Sequence, residues 1–362
     1  MKGLNKFFLG LIGGAMALWL FPAAVPSGAE VPPPHTIPTN LPGVYAFTEP
    51  PPNLNPRTAS DEELAAWGFP PRPDATTAPE AYAAWARAVT APARTIVPVL
   101  KLTDNYAGPS RGVRSTEPGT VIANPVAVTS SNWSGYVIQD TDNPFTLEAI
   151  QGDFIVPVAQ QAFGNCTGSY DYGVAWVGID GATINGVGSS DVLQAGAEFD
   201  ADCSASTTTT YYAAWYEWYP NPWTVITNFS VSPGDDMSVE VWSTSATAGK
   251  AYLINYTTNV KVTISFSAPA GTTLVGDCVE WIVERPGIDG SLATLTNYIA
   301  TAFNRDNAWN YTASTKTFYY PGSAPSGTIY SWTMLDNSGK PISYPTLEGP
   351  GDIWFYDEGS AL

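Results

Sequence analysis

Two carboxylic acids, Glu280 and Glu284, alternate with apolar residues in the run Val279-Glu-Trp-Ile-Val-Glu284. A period of two sets Glu280, Ile282 and Glu284 on one face of an extended segment and Val279, Trp281 and Val283 on the other. β-branched and aromatic residues favour a half-buried strand, and Pro286 ends it. Glutamates held on such a face are suited to general acid–base work. A third acid, Glu217, lies in the aromatic run Trp215-Tyr-Glu-Trp-Tyr219. Glu217 and Glu280 together would suit a two-carboxylate glycoside hydrolase. His35 is the only histidine and precedes any plausible core. Its isolation excludes Ser-His-Asp and Cys-His mechanisms in the main domain and histidine-ligated zinc. No metal or cofactor is expected. Of the three cysteines, Cys166 and Cys203 lie in polar, loop-like surroundings and are expected to pair. Cys278, which leads the acidic strand, is expected to be a buried free thiol.

The elements that must position these groups are short strands. Alternating runs recur at Tyr136–Ile138, Ala149–Val156, Val174–Ile179, Tyr211–Tyr219, Met237–Trp242, Ala251–Tyr256, Lys261–Phe266 and Val279–Val283. They continue more weakly through Ala300–Phe303, Thr317–Tyr320, Ile329–Met334 and Ile353–Tyr356. Turn residues separate them and no long helical period intervenes, so the fold class is all-β. The expected architecture is an antiparallel β-sandwich of jelly-roll or concanavalin-like type over residues 126–362.

The start of the chain reads differently. Lys2 and Lys6, the apolar run from Phe7 to Phe21 and small residues up to Ala29 predict a secretory signal peptide, residues 1–29, and an extracellular, secreted protein. Residues 30–125 are Pro-rich and irregular, and are expected to form a partly helical propeptide. Ser60–Glu63 and Thr77–Glu80 read as helix capping boxes. Trp67 and Trp85 lie on apolar stripes behind them that need a partner surface. No later stretch is apolar enough to cross a bilayer.

Charge divides unevenly. Residues 1–125 hold nine basic and nine acidic side chains, leaving 15 − 9 = 6 basic and 33 − 9 = 24 acidic residues, a net −18, for the rest. Such a surface disfavours nucleic acid and anionic membranes as partners. Its self-repulsion at neutral pH disappears when carboxylates protonate, which points to an acidic working medium, with salt adaptation as the other origin. Lys101, Arg111 and Arg114 form the most basic stretch and are expected to pair with carboxylates of the acidic domain.

Four further segments precede the acidic strand: Ser131-Asn-Trp-Ser-Gly135, Ala175-Trp-Val-Gly-Ile-Asp-Gly181, Leu193-Gln-Ala-Gly196 and Trp215-Tyr-Glu-Trp-Tyr-Pro220. In this order the five motifs resemble the glutamic peptidases, or eqolisins, from Ser131 to Pro286. The resemblance implies a two-sheet sandwich and a secreted, propeptide-bearing, pepstatin-insensitive acid endopeptidase. It implies Gln194 and Glu280 as the catalytic pair, with Glu280 passing a proton from water to the leaving amine and Gln194 donating to the oxyanion. Trp133, Trp176, Asp180 and Glu217 match positions lining the cleft, and Glu284 is expected to support Glu280 from behind. The implied partners are protein or peptide substrates and the chain's own propeptide as intramolecular inhibitor, in a monomer. Self-cleavage is expected between Arg114 and Ser131. A carbohydrate-binding sandwich and the two-carboxylate glycosidase are the competing readings.

Overall fold

The computed structural model of the chain describes residues 32–114, 125–140, 147–162, 170–204, 209–314, 316–324 and 328–358. The expected signal peptide, Cys166 and residues 115–124 of the expected processing region lie outside them. Among the described residues no helix is long and apolar enough to cross a membrane.

The alternation read from the sequence becomes two packed sheets. One runs through Thr224–Ile226, Thr210–Tyr219, Val192–Asp202, Val174–Ile179, Cys278–Glu284, Trp133–Gln139, Ile329–Leu335 and Val126–Ser130. Its pairings are antiparallel except the last. The other runs through Val260–Ser267, Ala248–Asn255, Asp236–Ser245, Ala149–Ile155, Ala300–Trp309, Asp352–Asp357 and Pro341–Gly349. The fold is therefore the expected antiparallel β-sandwich.

The acidic strand serves both sides of its sheet. Val279, Trp281 and Val283 face inward and pack with Val239, Val241 and Leu253. Trp281 is fully buried, and its indole N–H donates to the Gln151 carbonyl of the opposite sheet at 2.9 Å. Burying such a side chain contributes about 1.5–3 kcal/mol, provided its polar atom finds a partner. Cys278 and Ile282 face outward and join a second apolar cluster with Trp133, Trp176, Trp215, Trp332 and Ala107.

Ala107 belongs to the N-terminal segment, which is woven into the sandwich; Pro32–Leu362 forms one compact unit. Thr36–Pro38 and Tyr45–Phe47 pair with each other, and the second extends the Val260–Ser267 edge, where Arg94–Thr95 also adds. Leu100–Leu102 extends Thr224–Ile226 at the far edge of the other sheet. Ser110–Arg114 pairs with both Ala182–Ile184 and Val126–Ser130. The added strands cover edges that would otherwise present unpaired backbone groups.

Two helices complete the segment. Asp61–Ala66 starts as expected, with Ser60 Oγ accepting from the Glu63 amide at 3.1 Å. Pro79–Thr90 departs from the expected box at Thr77, because its N-cap is Ala78 and the cap makes no side-chain hydrogen bond. Asp74 instead accepts from the Thr76 and Thr77 amides one turn earlier, and Pro79 begins the helix. The stripe residues Trp85 and Val89 pack with Leu64 and Phe69 into a small core within the segment itself. On the adjoining face Ala88 meets Trp242, Tyr252 and Trp309 of the sandwich.

Candidate active site

Gln194 lies on the long Val192–Asp202 strand, where the register pairs it with Glu217 on one side and Gly178 on the other. Gly178 in turn pairs with Glu280. One row across four strands thus holds Glu217, Gln194, Gly178 and Glu280 on the outward face. A Cβ at Gly178 would lie 2.8 Å from the Trp176 ring and 3.1 Å from Gln194 Cβ. The glycine is what lets those two side chains approach each other.

The N-terminal segment crosses this face as an extended chain. Tyr106 makes an antiparallel bridge with Gly287, and the Ser110 amide donates to the Gly181 carbonyl at 3.0 Å. Between them the backbone is held by side chains. The Ala107 amide donates to Glu217 Oε2 at 3.1 Å, and the Ala107 carbonyl accepts from Gln194 Nε2 at 2.5 Å. The Gly108 amide faces the Glu284 carboxylate as a hydrogen-bond donor. The Gly108 carbonyl accepts from Trp133 Nε1 at 3.1 Å and from Asn132 Nδ2 at 3.4 Å. Gln194 Nε2 also donates to Glu217 Oε2 at 2.8 Å, which orients the amide.

Glu284 is the carboxylate that completes this set. Its Oε2 accepts from Trp176 Nε1 at 3.0 Å and its Oε1 from Asn132 Nδ2 at 3.1 Å. Trp133 meets Trp176 edge to face at 5.0 Å between ring centroids. Burial pushes the Glu284 carboxyl well above the usual carboxylate range, against the pull of the Asn132, Trp176, Gly108 and Trp133 donors. Burial, followed by repulsion from Glu284, likewise raises Glu217.

Glu280, expected in the catalytic pair, stands elsewhere. Both its carboxylate oxygens are buried without an N–H or O–H donor among the described residues. Its charged neighbours are Asp180, Asp277 and Asp191, beside the Cys278 thiol, and burial raises its pKa strongly. Both acids share the outward face, but the peptide backbone crosses at the Glu284 end of the strand. Asp180 also differs from its expected role at the cleft. It accepts from the amides of Val275, Gly276 and Asp277 at 2.6–3.0 Å, fixing the loop that leads into the acidic strand. Trp133, Trp176, Glu217 and Glu284 gather around the held backbone.

Asn132 escaped the sequence reading, although it stands inside the Ser131–Gly135 motif. Ala107 and Gly108 had no signal, since Tyr-Ala-Gly-Pro reads as a loop. Cys203 is disulfide-bonded and Cys278 is a buried free thiol; Cys166, the expected partner of Cys203, lies outside the described residues. The expected basic clasp is also relocated. Among the described residues Lys101, Arg111 and Arg114 form no ion pair, and Arg114 donates to the Tyr330 hydroxyl at 2.9 Å. Arg87 makes the bidentate contact instead, to Asp153 at 2.6 Å and Asp236 at 2.5 Å.

Comparison with known proteins bears on the same residues. Scytalidopepsin B of Scytalidium lignicola is 34% identical over 158 residues, covering 44% of this chain and 53% of that protein. Aspergillopepsin-2 of Aspergillus niger is 32% identical over 193 residues, covering 49% and 64%. The chain thus spans less than two thirds of the length of either relative. Among solved structures, scytalido-glutamic peptidase with a transition-state analog inhibitor aligns at a TM-score of 0.49 and 25% identity, over 63% of this chain and 98% of that one. The aspergilloglutamic peptidase of Aspergillus niger aligns at a TM-score of 0.42 and 26% identity, over 52% and 99%. The model of the Peptidase A4 family matches residues 131–330, which hold Gln194, Glu217 and both acids of the Val279–Glu284 run, and the chain belongs to that family.

Proposed function

We propose that this chain is the precursor of a secreted acid endopeptidase that hydrolyses peptide bonds through Gln194 and Glu284. The observation that carries this reading is the treatment of one peptide unit. Glu217, Gln194, Glu284 and the Trp133–Asn132 pair meet four successive backbone groups of Ala107 and Gly108. Side chains that bind backbone irrespective of side-chain identity are what a peptide-bond hydrolase requires. The glycosidase alternative needs two carboxylates flanking a sugar, and pairing Glu217 with Glu280 is not supported, because Glu284 is the acid beside Glu217.

The chemistry follows from the positions. The Gln194 amide donates to the carbonyl oxygen, where negative charge develops when water adds. An amide does not titrate, so this donor persists in acid, where a histidine base would be protonated. Glu284 faces the nitrogen of the same peptide unit. It would take a proton from the attacking water and return it to the departing amine. Asn132 and Trp176 donate to its two oxygens and favour its ionised form. Glu217 fixes the amide of Gln194 and the backbone N–H on the acyl side.

Latency is read from the same geometry. The N-terminal segment fills the cleft and buries Glu217 and Glu284, and this burial raises both carboxyls. The segment thereby serves as an intramolecular inhibitor, and the apolar stretch before Ala29 supports export. The test is proteolysis of a denatured protein substrate in acid by folded, acid-treated variants. Gln194→Ala and Glu284→Ala should each lose at least about a hundredfold, the usual size of a lost oxyanion donor or general base. Glu280→Ala should keep most of its activity. An active Glu284→Ala beside an inactive Glu280→Ala would overturn the assignment of the base.

A further inference from the structure

We propose that the Ala107–Gly108 peptide bond is itself the first bond this protein cuts, within its own molecule, and that the segment is a tethered substrate as well as a plug. This rests on the peptidase reading above. The expected self-cleavage region, Arg114 to Ser131, lies C-terminal to the short segment that Gln194 and Glu217 hold. The bond that those groups bracket is Ala107–Gly108. Its carbonyl accepts from Gln194 Nε2 and its N–H faces Glu284.

The chain on either side is fixed by pairing, so the bond is presented by its own fold. On the N-terminal side Leu100–Leu102 pairs antiparallel with Thr224–Ile226, and Tyr106 bridges Gly287. On the C-terminal side Ser110–Arg114 pairs with Ala182–Ile184 and, through Val113 and Arg114, with Val126–Ser130. This is strand addition on both flanks of one bond, which is how extended peptides are held for recognition. It also provides the high effective concentration that an intramolecular reaction requires.

The local residue types permit reaction. Ala107 is fully buried with only a methyl group to accommodate. A Cβ added at Gly108 would meet the Tyr219 ring at 3.6 Å, an ordinary contact. The step balances with water alone. Water oxygen bonds to the Ala107 carbonyl carbon while Glu284 takes one water proton. The Gln194 amide donates to the resulting oxyanion. The carbon–nitrogen bond then breaks, Glu284 delivers its proton to the Gly108 nitrogen, and the products are a chain ending in an Ala107 carboxyl and a chain beginning with a Gly108 amine. The N-terminal fragment keeps its strands and helices on the sandwich and should remain bound after the cut.

The experiment uses the full-length precursor, purified at neutral pH and transferred to about pH 3.5 over a hundredfold range of protein concentration. New termini are followed by intact mass and N-terminal sequencing. The expected first product begins at Gly108, forms at a rate independent of concentration, and is absent from Gln194→Ala and Glu284→Gln precursors. Gly108→Ala should still be cut there. Gly108→Pro, which removes the N–H facing Glu284, should not be cut at that bond. A first cut elsewhere, a rate proportional to concentration, or a Gly108→Pro chain cut at the same bond overturns the proposal. Acid-treated protein is assayed in parallel on a denatured protein substrate. Gln194- and Glu284-dependent activity after a cut elsewhere would leave the peptidase reading standing and remove only this inference. A precursor cut at Gly108 with unchanged speed in both variants would overturn both.

Discussion

The carbonyl of Ala107 accepts a 2.5 Å hydrogen bond from the side-chain amide of Gln194, 87 residues away in the chain. That contact orders the rest of the site. It fixes which end of the outward face is used, and therefore which of two glutamates in the acidic strand meets the peptide unit. Glu284 is the nearer acid along the crossing backbone. Glu280 sits toward Asp180, Asp191 and Asp277, on the side of the loop that leads into the strand.

Glu217 should act as a positioning residue for Gln194. Its Oε2 accepts from both Gln194 Nε2 and the Ala107 amide. Glu217→Ala leaves a buried donor unpaired, a cost of about 1–3 kcal/mol, or roughly a 10- to 100-fold loss in kcat/KM. Glu217→Gln retains a carbonyl oxygen for the same donors and should recover most of that loss. Removing the negative charge also removes repulsion between Glu217 and Glu284. The acid limb of the kcat/KM profile should then move to lower pH in Glu217→Gln. An unmoved limb would show that the two carboxyls do not interact electrostatically during catalysis.

The sandwich was legible from period-two alternation because its strands carry β-branched and aromatic residues on the inner face. The Val192–Asp202 strand was not, although it holds Gln194. Its inward residues include Ala195, Ala197 and Ala201, whose small side chains give no strong strand signal. Packing explains the small residue at Gly196: a Cβ there would stand 2.1 Å from the Ala175 carbonyl oxygen. The choice between Glu280 and Glu284 was also hidden. Alternation assigns a side chain to a face, whereas position along the groove depends on where a distant segment crosses it. Gln194, Trp133 and Trp176 were reached only through motifs, whereas Glu217 also stood out as an acid within an aromatic run. The stripes at Trp67 and Trp85 did demand a partner, but Trp85 found it mainly inside the N-terminal segment, and Trp67 stacks on His35 at 3.6 Å between centroids.

Stability should fall as pH rises toward neutrality. Glu198 and Asp200 are buried side by side at a cavity of about 470 Å³, which Lys101, Tyr170, Tyr172 and Tyr211 also line. Burial pushes Glu198 up to about 7, against a hydrogen bond from Asp200 and the charge of Lys101. Burial and then Glu198 raise Asp200. A carboxyl raised on folding binds more protons in the native than in the unfolded state. Stability is therefore highest below the unfolded value, near 4.3, and declines as pH climbs through the folded value. Each unit of elevation corresponds to about 1.4 kcal/mol. Thermal unfolding between pH 4 and 7 should show a falling Tm, with a shallower fall in Glu198→Gln. An equal slope in the variant would remove this pair as a source of the pH dependence.

Cys278 should be chemically silent in the folded protein. It is fully buried, and burial followed by the negative charge of Glu280 pushes its thiol well above the ordinary range. The thiolate is the reactive form, so native protein at pH 8 should resist iodoacetamide. Denaturation without reductant should release one reactive thiol, since Cys203 is disulfide-bonded. Cys278→Ser should retain proteolysis, because the thiol does not touch the held peptide unit. Loss of activity in a folded Cys278→Ser protein would contradict the assignment of the chemistry to Gln194 and Glu284.

Arg87 should be the main ionic fastener of the N-terminal segment at neutral pH. Arg87, in the Pro79–Thr90 helix, bonds Asp153 and Asp236 and lies 3.7 Å over the Tyr256 ring. Asp153 is only 2% exposed, and Arg305 reaches the same Asp153 oxygen, Oδ2, at 3.2 Å. The buried acids Glu240 and Asp306, repelled by Asp153, complete the surroundings, and all three carboxyls are raised by burial. Their ionisation thus opposes folding, and the penalty grows as pH rises through the raised values. Arg87 offsets part of it for Asp153. Breaking a buried pair typically costs about 3–5 kcal/mol, and the remaining Arg305 should place Arg87→Gln near the lower end. The loss should be largest at pH 7, where Asp153 carries most charge, and should shrink toward pH 4 as the carboxyl protonates in wild type and variant alike. Conversion of the Arg87→Gln precursor should consequently begin at a higher pH than that of wild type. The triple change of Lys101, Arg111 and Arg114 to Gln should shift it less, because none of the three forms an ion pair among the described residues. Urea unfolding at pH 7 and pH 4, with conversion followed by gel, measures both effects. A larger shift in the triple variant than in Arg87→Gln would place the clasp on the cleft side of the molecule instead.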